Sequence, residues 1–362
     1  MKQIVVVTGT RPEIIKMAPI LRALKEAKLP HVFVHCGQHF DYNMAQQFIE
    51  NLELPTPDHW LKIESHSPAA QTAEIITKMD SLLSEVEPSI VLVEGDTNTV
   101  LSAALAANKH AIPIGHVEAG LRSFDLRMPE EHNRRLTDHI SNYLFAPTER
   151  AKTNLQKENV WGKIFLTGNT AIDAVKQHLP LAEKKSTIMQ QIPFKTYALA
   201  TAHRAENVDD AAVLDSFMEV FSKASLPIVY PMHPRTRKRL QENNMLQKVE
   251  SLGNILILPP LGYLDFLVLM KNSRLIITDS GGIQEEATAP SIRKQVLVIR
   301  LSTERQEAVK AGFAKVVGTD AKSILAAIEE ALRKEVELPS VSPFGDGTAA
   351  VKIVEIIKSG LA

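Results

Sequence analysis

The sequence predicts an α/β protein made of two Rossmann-like domains, each built on a parallel sheet, and three observations lead there. The chain's 362 residues exceed the usual single-domain size, so two domains of about 170 residues each are the natural division. Short apolar runs of Val, Ile and Leu recur without alternation, which suits strands buried on both faces. Each run ends in polar or glycine residues and is followed by helical periodicity, which makes the strands parallel.

Taken in order, the first half offers "QIVVVTG", "HVFVHCG", "SIVLVEGD", "IPIGHVEAG", "YLFAP" and "KIFLTGN". The second half offers "YALATAHR", "LPIVYPMHP", "NILILPP", "RLIITDSGG", "QVLVIR" and "KVVGTD". Six strands are thus expected in each half. The seam falls in 174–195, where a helix gives way to polar residues before the second alternation starts. The expected domains are 1–175 and 190–345. Beyond them "SPFGDGTAAVKIVEIIKSGLA" breaks on Pro343, Gly345 and Gly347, and a helix over 346–362 is expected to pack back on the first domain.

Composition narrows the function. Lys and Arg total 41 against 42 Asp and Glu, so there is no global basic field for nucleic acid or a membrane surface, and any bound anion must be held locally. The single cysteine, Cys36, excludes an intrachain disulfide and a Cys-rich metal site. Nothing reads as a secretory leader or an apolar span of about 18 residues, and a cytoplasmic protein is expected.

In open parallel sheets ligands sit outside the carboxyl ends of the strands, so chemistry-bearing residues should follow each apolar run. They do: "GTRPE", "GQH", "EGDTNT", "HVEAGLRS", "AHRAEN", "HPRTRK", "DSGG" and "STER" all stand there. Two domains facing each other across a cleft would aim them into one crevice.

Ser280, Gly281 and Gly282 lie between a strand and a helix. They form either a phosphate seat of backbone N–H groups or a tight turn with glycines for geometry alone. Neither Gly-x-x-x-x-Gly-Lys nor Gly-x-Gly-x-x-Gly is present, so the usual fingerprints of ATP hydrolysis and dinucleotide redox chemistry are missing. One of Glu285 and Glu286 would face the crevice and accept from ribose hydroxyls, and the other would be a solvated helix residue. The first half holds Asp96, Glu118, Glu130, Glu131 and Arg134. Carboxylates gathered at one site push their pKa values apart, which supplies an acid and a base together. For Glu130 and Glu131 the alternative is a helix N-terminal turn after Pro129. Asp96 and Glu118 sit where buried runs end or break, and a charge there is costly unless paired or used. Arg11 and Lys16 either partner these carboxylates or grip a substrate phosphate. His203 and His233 end adjacent runs of the second half, as structural or catalytic residues. His132 and His139 stand seven apart, not in the His-Glu-x-x-His arrangement of a helical metal site.

With these residues assembled, "GTRPEIIKMAP", "GDTNT", "HVEAGLRS", "PEEHNR", "GNTAIDA", "HRAEN" and "TDSGGIQEEA" resemble, in order, the motifs of the non-hydrolysing UDP-N-acetylglucosamine 2-epimerases. The resemblance runs from residue 4 to about residue 350 and implies the two-domain GT-B fold. It also implies interconversion of UDP-GlcNAc and UDP-ManNAc without NAD or metal, by elimination and re-addition of UDP through 2-acetamidoglucal. By the same resemblance Asp96, Glu118 and Glu130 match the proton-handling carboxylates, and Arg134 and His203 support the site and the departing diphosphate. Arg11, Lys16, Phe266, Ser280, Gly281, Gly282, Glu286 and Arg305 match nucleotide-binding positions. Gln38 and His39 resemble part of a second, activating UDP-GlcNAc site. A homodimer that binds a UDP-sugar, with no nucleic acid or membrane partner and no cofactor, is implied, with a role in making cell-surface polysaccharide.

The chain departs from the pattern between residues 288 and 306, with two additional residues, Gln295 and Gln306 in place of proline, and Leu301 in place of aspartate. Other readings are a hydrolysing relative, an epimerase of a UDP-2,3-diacetamido sugar and a non-catalytic nucleotide-sugar sensor. A GT-B glycosyltransferase would usually carry a Glu-x7-Glu pair, but position 287, eight after Asp279, is alanine.

Overall fold

The computed structural model describes residues 2–38, 42–334 and 337–361. It divides into two compact units, Met1–Ala174 with Phe344–Ala362, and Val175–Pro343. The division falls inside the helix Thr170–Lys185, near the start of the polar stretch that marks the seam in the sequence.

The first unit is built on β1 (Ile4–Thr8), β2 (His31–Gln38), β3 (His59–Ile63), β4 (Ile90–Glu94), β5 (Ile114–Val117), β6 (Tyr143–Ala146) and β7 (Lys163–Leu166). Their order is β3-β2-β1-β4-β5-β6-β7, and every pairing is parallel. β1 and β4 are central and wholly buried, as unbroken apolar runs require. This is a seven-stranded sheet, not the six-stranded one expected. The missed strand, β3, reads "HWLKI" and pairs only with β2 at the sheet edge. An edge strand exposes part of its surface, so it carries no continuous apolar run to betray it.

The second unit holds β8 (Ala198–Thr201), β9 (Ile228–Pro231), β10 (Ile255–Leu258), β11 (Leu275–Thr278), β12 (Val296–Val298) and β13 (Ala314–Val316). Their order is β10-β9-β8-β11-β12-β13, again all parallel. Strand order reverses between β1 and β4 in one sheet and between β8 and β11 in the other. At such a reversal the connections leave toward opposite faces and open a crevice at the strand ends. The residues after β1 and β4, and after β8 and β11, therefore stand where each sheet is built to receive a ligand.

The C-terminal segment returns to the first unit. Asn169 N–H donates to the Phe344 carbonyl at 2.7 Å. The helix that follows spans Ala349–Gly360, because Asp173 accepts from the Ala349 and Ala350 N–H groups at 3.2 and 2.9 Å and starts the helix there. It packs against the helix Arg11–Glu26. Among the described residues, no helix is long and apolar enough to cross a membrane.

Candidate functional site

At the β1/β4 reversal of the first unit, carboxylates and cations meet in a largely buried cluster. Glu13, in the first turn of the helix Arg11–Glu26, is 2% exposed. Gly9 N–H donates to its Oε2 at 2.7 Å and Thr10 Oγ1 to its Oε1 at 2.9 Å. Burial pushes its carboxyl up to about 7, against the lowering effect of these bonds and one from Thr97, while nearby Asp96 adds to the rise. One turn along, the Lys16 ammonium lies 3.2 Å from Glu94 Oε1 and pairs with Glu118 Oε2. Asn169 Nδ2 also donates to Glu118 Oε2, at 3.3 Å. Burial, only partly offset by Lys16 and reinforced by the charge of Glu118, holds the Glu94 carboxyl well above the usual range. One ammonium thus serves two carboxyl groups, of which Glu94 is the one that burial favours protonated. Glu118 has φ +67°, a left-handed conformation that costs a residue with a side chain about 1–2 kcal/mol. It turns the chain out of β5 and presents the carboxylate at the sheet's end.

Asp96 pairs with Arg134 Nη2, and Arg134 Nη1 donates to Glu131 Oε2 at 3.0 Å. Asn133 Nδ2 donates to the Asp96 carbonyl at 3.0 Å. The helix Pro129–Ile140 begins with proline and places the adjacent glutamates differently. Glu131 is buried, accepts from the Ser123 N–H and hydroxyl at 2.8 and 2.9 Å, and meets Arg135 Nε at 3.1 Å. Burial alone would raise its carboxyl, but the Ser123 donors and the arginines outweigh it and hold it below the usual range. Glu130 is exposed on the same first turn. Arg11 is also exposed, at the first position of its helix. Among the described residues no group of three or more His, Cys, Asp or Glu is arranged to hold a metal ion.

The second unit carries a different cluster at the β8/β11 reversal. Asp279, fully buried just after β11, accepts on Oδ2 from the His203 N–H at 2.9 Å, the Arg204 N–H at 2.8 Å and Asn207 Nδ2 at 3.1 Å. Its Oδ1 lies 3.2 Å from His203 Nδ1. The His203 and His233 rings stand 5.5 Å apart. His233 Nδ1 accepts from Arg235 N–H at 3.2 Å, and burial, then His203 and Arg235, push His233 below the ordinary imidazole range. Next in sequence is the short helix Gly281–Glu286, with Ser280 at its N-cap. Gly281 lets the Arg305 guanidinium lie close, since a Cβ there would stand 3.2 Å from the guanidinium carbon and press on it. Arg305 Nε donates at 2.8 Å to the buried Glu285. Neither glutamate of the "QEE" pair is the solvated helix residue expected of one of them: Glu285 is the buried partner of Arg305, and half-buried Glu286 lies beside Tyr263, whose hydroxyl is raised first by burial and then by that carboxylate. Phe266 is half-buried on the helix Tyr263–Asn272.

The unusual 288–306 stretch is tied down without its prolines. Gln306 Nε2 donates to the Thr303 carbonyl at 2.8 Å as the helix Gln306–Lys310 starts, and the Gln295 carbonyl accepts from the Ile276 N–H at 3.0 Å. Leu301 is 86% exposed. Of the pair resembling an activator site, Gln38 ends β2 and His39 lies outside the described residues.

Sequence reading missed Glu13, Glu94 and Asp279 as members of these clusters. Two of them had a signal: Glu94 and Asp279 are charges at the ends of buried apolar runs, as Asp96 and Glu118 nearly are. Glu13 had none beyond its place in the motif, because an acidic residue in a first helical turn is ordinary.

Two parallel sheets, one ending in a carboxylate–lysine cluster and the other in a glycine turn with a buried aspartate and an arginine, define an α/β protein of two Rossmann-like units, each with a charged cluster at its strand-order reversal. Comparison with known proteins makes this specific. The family described as UDP-N-acetylglucosamine 2-epimerase matches residues 22–358, and the chain belongs to it. The UDP-N-acetylglucosamine 2-epimerase of Methanocaldococcus jannaschii is 43% identical over 364 residues, covering 98% of either chain. The crystal structure of the Methanocaldococcus jannaschii enzyme in complex with UDP-GlcNAc and UDP superposes with a TM-score of 0.88 at 44% identity, over 99% of this chain and 100% of that one. A UDP-2,3-diacetamido-2,3-dideoxy-D-glucuronate 2-epimerase from Pseudomonas aeruginosa is 36% identical, over 98% of this chain and 99% of its own.

Proposed function

We propose that this epimerase is non-hydrolysing and interconverts UDP-GlcNAc and UDP-ManNAc by elimination and re-addition of UDP. The observation that carries the reading is the cluster of Asp96, Glu118 and Glu94 around Lys16 and Arg134 at the ends of β4 and β5. No carbonyl adjoins the C2–H of the sugar, so its proton becomes removable only as the C1–O bond breaks and its electron pair leaves with UDP. A carboxylate of the Asp96, Glu118 and Glu130 set then takes the C2 proton as the C1–C2 double bond forms. A carboxylic acid of the same set returns a proton to the opposite face, and a UDP oxygen adds back at C1. Lys16 pairs with Glu118 and also meets Glu94, whose carboxyl burial holds well above the usual range.

The nucleotide belongs, in this reading, to the second unit. Ser280, Gly281 and Gly282 offer N–H groups to the diphosphate, Arg305 and His203 stabilise its departing charge, and Glu286 and Phe266 hold the nucleoside. Arg11 and Lys16 serve the phosphate side of the sugar. Each well-placed donor on the developing charge contributes about 3 kcal/mol to the transition state. We also propose a cytoplasmic homodimer.

Incubation with UDP-GlcNAc in D2O containing EDTA, followed by NMR, tests this. Deuterium at C2 and a mixture of UDP-GlcNAc and UDP-ManNAc are expected with no added cofactor. Free ManNAc with UDP would instead identify a hydrolysing enzyme. A strict need for NAD or metal would overturn the mechanism. Turnover of a UDP-2,3-diacetamido uronate alone would move the specificity toward that of the Pseudomonas aeruginosa relative.

A further inference from the structure

His116, the third residue of β5, is fully buried, and its two ring nitrogens both face acceptors. Nδ1 lies 2.7 Å from Asp138 Oδ1, and Nε2 lies 2.8 Å from the carbonyl of Gly95. Gly95 has φ +90° and immediately precedes Asp96. A carbonyl only accepts, and Asp138 is an ionised carboxylate. Its other oxygen, Oδ2, accepts from the Gly120 N–H at 3.2 Å and meets Arg122 Nη2 at 2.7 Å, the surroundings of an anion. Both imidazole nitrogens therefore donate, and the ring is a cation.

That cation completes a circuit. Asp138 Oδ2 meets Arg122 Nη2 at 2.7 Å, and Arg122 reaches Glu158 at 2.6 Å. Glu158 lies 3.6 Å from Arg135, which contacts Glu131 at 3.1 Å. Glu131 meets Arg134, and Arg134 holds the carboxylate of Asp96. The circuit thus leaves the Gly95–Asp96 segment at one end and returns to it at the other. Its cations are His116, Arg122, Arg134 and Arg135, and its anions are Asp96, Glu131, Asp138 and Glu158, four of each. The circuit is buried at His116, Asp138 and Arg122 and partly exposed at Arg135, Glu158 and Asp96, and within its buried part each bond orients the next.

We propose that His116 is a positioning residue for Asp96: its Nε2–H fixes the Gly95 carbonyl, and with it the backbone from which Asp96 reaches the sugar, while Arg134 fixes the carboxylate. The groups facing the ring are the Gly95 carbonyl from the loop after β4 and Asp138 from the helix Pro129–Ile140. Behind Asp138 stand the Gly120 N–H and Arg122 from the segment after β5, and behind Arg122 stands Glu158 at the end of the helix Glu149–Lys157. This assignment rests on the proposed reaction for its kinetic consequence but not for its geometry.

Two substitutions separate the two hydrogen bonds. In His116→Gln the amide nitrogen reaches the place of Nε2 and keeps the bond to Gly95. In His116→Asn it takes the place of Nδ1 and keeps only the bond to Asp138. His116→Asn should lower kcat by about 10²-fold, the cost of a small misplacement of a catalytic group. His116→Gln should stay within roughly ten-fold of the parent, the worth of one hydrogen bond. In both, UDP affinity by calorimetry should hold within about two-fold, since no circuit residue belongs to the nucleotide cluster. Equal kcat losses in the two variants, or losses matched by weakened UDP binding, would overturn the proposal.

A second measurement needs no substitution in the sample that is read. In parent protein labelled with 15N-histidine, both His116 ring nitrogens should give protonated-type resonances at neutral pH. A bare, pyridine-type nitrogen would overturn the assignment, including where neither variant folds. If the parent turns over no UDP-GlcNAc, it is the proposed reaction that has failed, and the spectrum still decides the state of His116.

Discussion

Glu13→Gln should make the first unit's stability less sensitive to pH, by an amount that follows from the burial of this one carboxyl. Its folded-state pKa is raised from the ordinary 4.5 to about 7, chiefly by burial. The sign follows: below about pH 4.5 the group is protonated folded or unfolded and exacts no cost. As pH rises toward about 7 the unfolded chain releases the proton and the folded chain retains it, so stability falls. At 1.36 kcal/mol per pH unit the interval amounts to about 3 kcal/mol, all expressed by pH 7 and constant above it.

Glutamine is isosteric with the protonated acid and does not titrate. It keeps one acceptor oxygen for the Gly9 N–H at 2.7 Å and the hydroxyls of Thr10, at 2.9 Å, and Thr97, and a hydroxyl can rotate to accept from the amide instead. Any loss there is a constant offset of about 1 kcal/mol, independent of pH. Urea unfolding of parent and variant between about pH 4.5 and about pH 8 isolates the effect, because Glu94 and every other titrating group appear in both proteins and cancel. The variant should gain on the parent by about 1.4 kcal/mol per pH unit until near pH 7. A difference that stays flat across that range would refute the reasoning.

The nucleotide cluster should fail when Asp279→Asn removes the negative charge on which three N–H groups converge. About 2–3 kcal/mol should be lost from the second unit in urea titrations, with weaker UDP binding, and an unchanged midpoint would show that the charge is dispensable. Glu118→Gln should lower C2–H exchange by about 10²–10⁴-fold with little change in UDP affinity, whereas Glu286→Ala should weaken UDP by about 1.5–3 kcal/mol. Near-normal exchange in the first, or parent-like calorimetry in the second, would reverse the roles given to them.

The amino-acid sequence by itself determined the two-sheet α/β architecture and the family, because both are written in local pattern. A strand buried on both faces must be an unbroken apolar run, as "IVVVT" and "LIIT" are, and ligand chemistry must follow such runs in residues like "GDTNT" and "DSGG". The edge strand β3 escaped because an exposed edge imposes no such pattern. Neighbouring glutamates were likewise indistinguishable in sequence. Whether Glu130 or Glu131, or Glu285 or Glu286, goes inward depends on Ser123, Arg134 and Arg305, residues brought to them by the fold. Lys16 meets Glu118 across 102 positions, and His203 meets Asp279 across 76. Only tertiary structure decided those partnerships, for a buried charge is tolerated only where an opposite charge or donor arrives from another strand end, and periodicity along one segment carries no information about which partner will arrive.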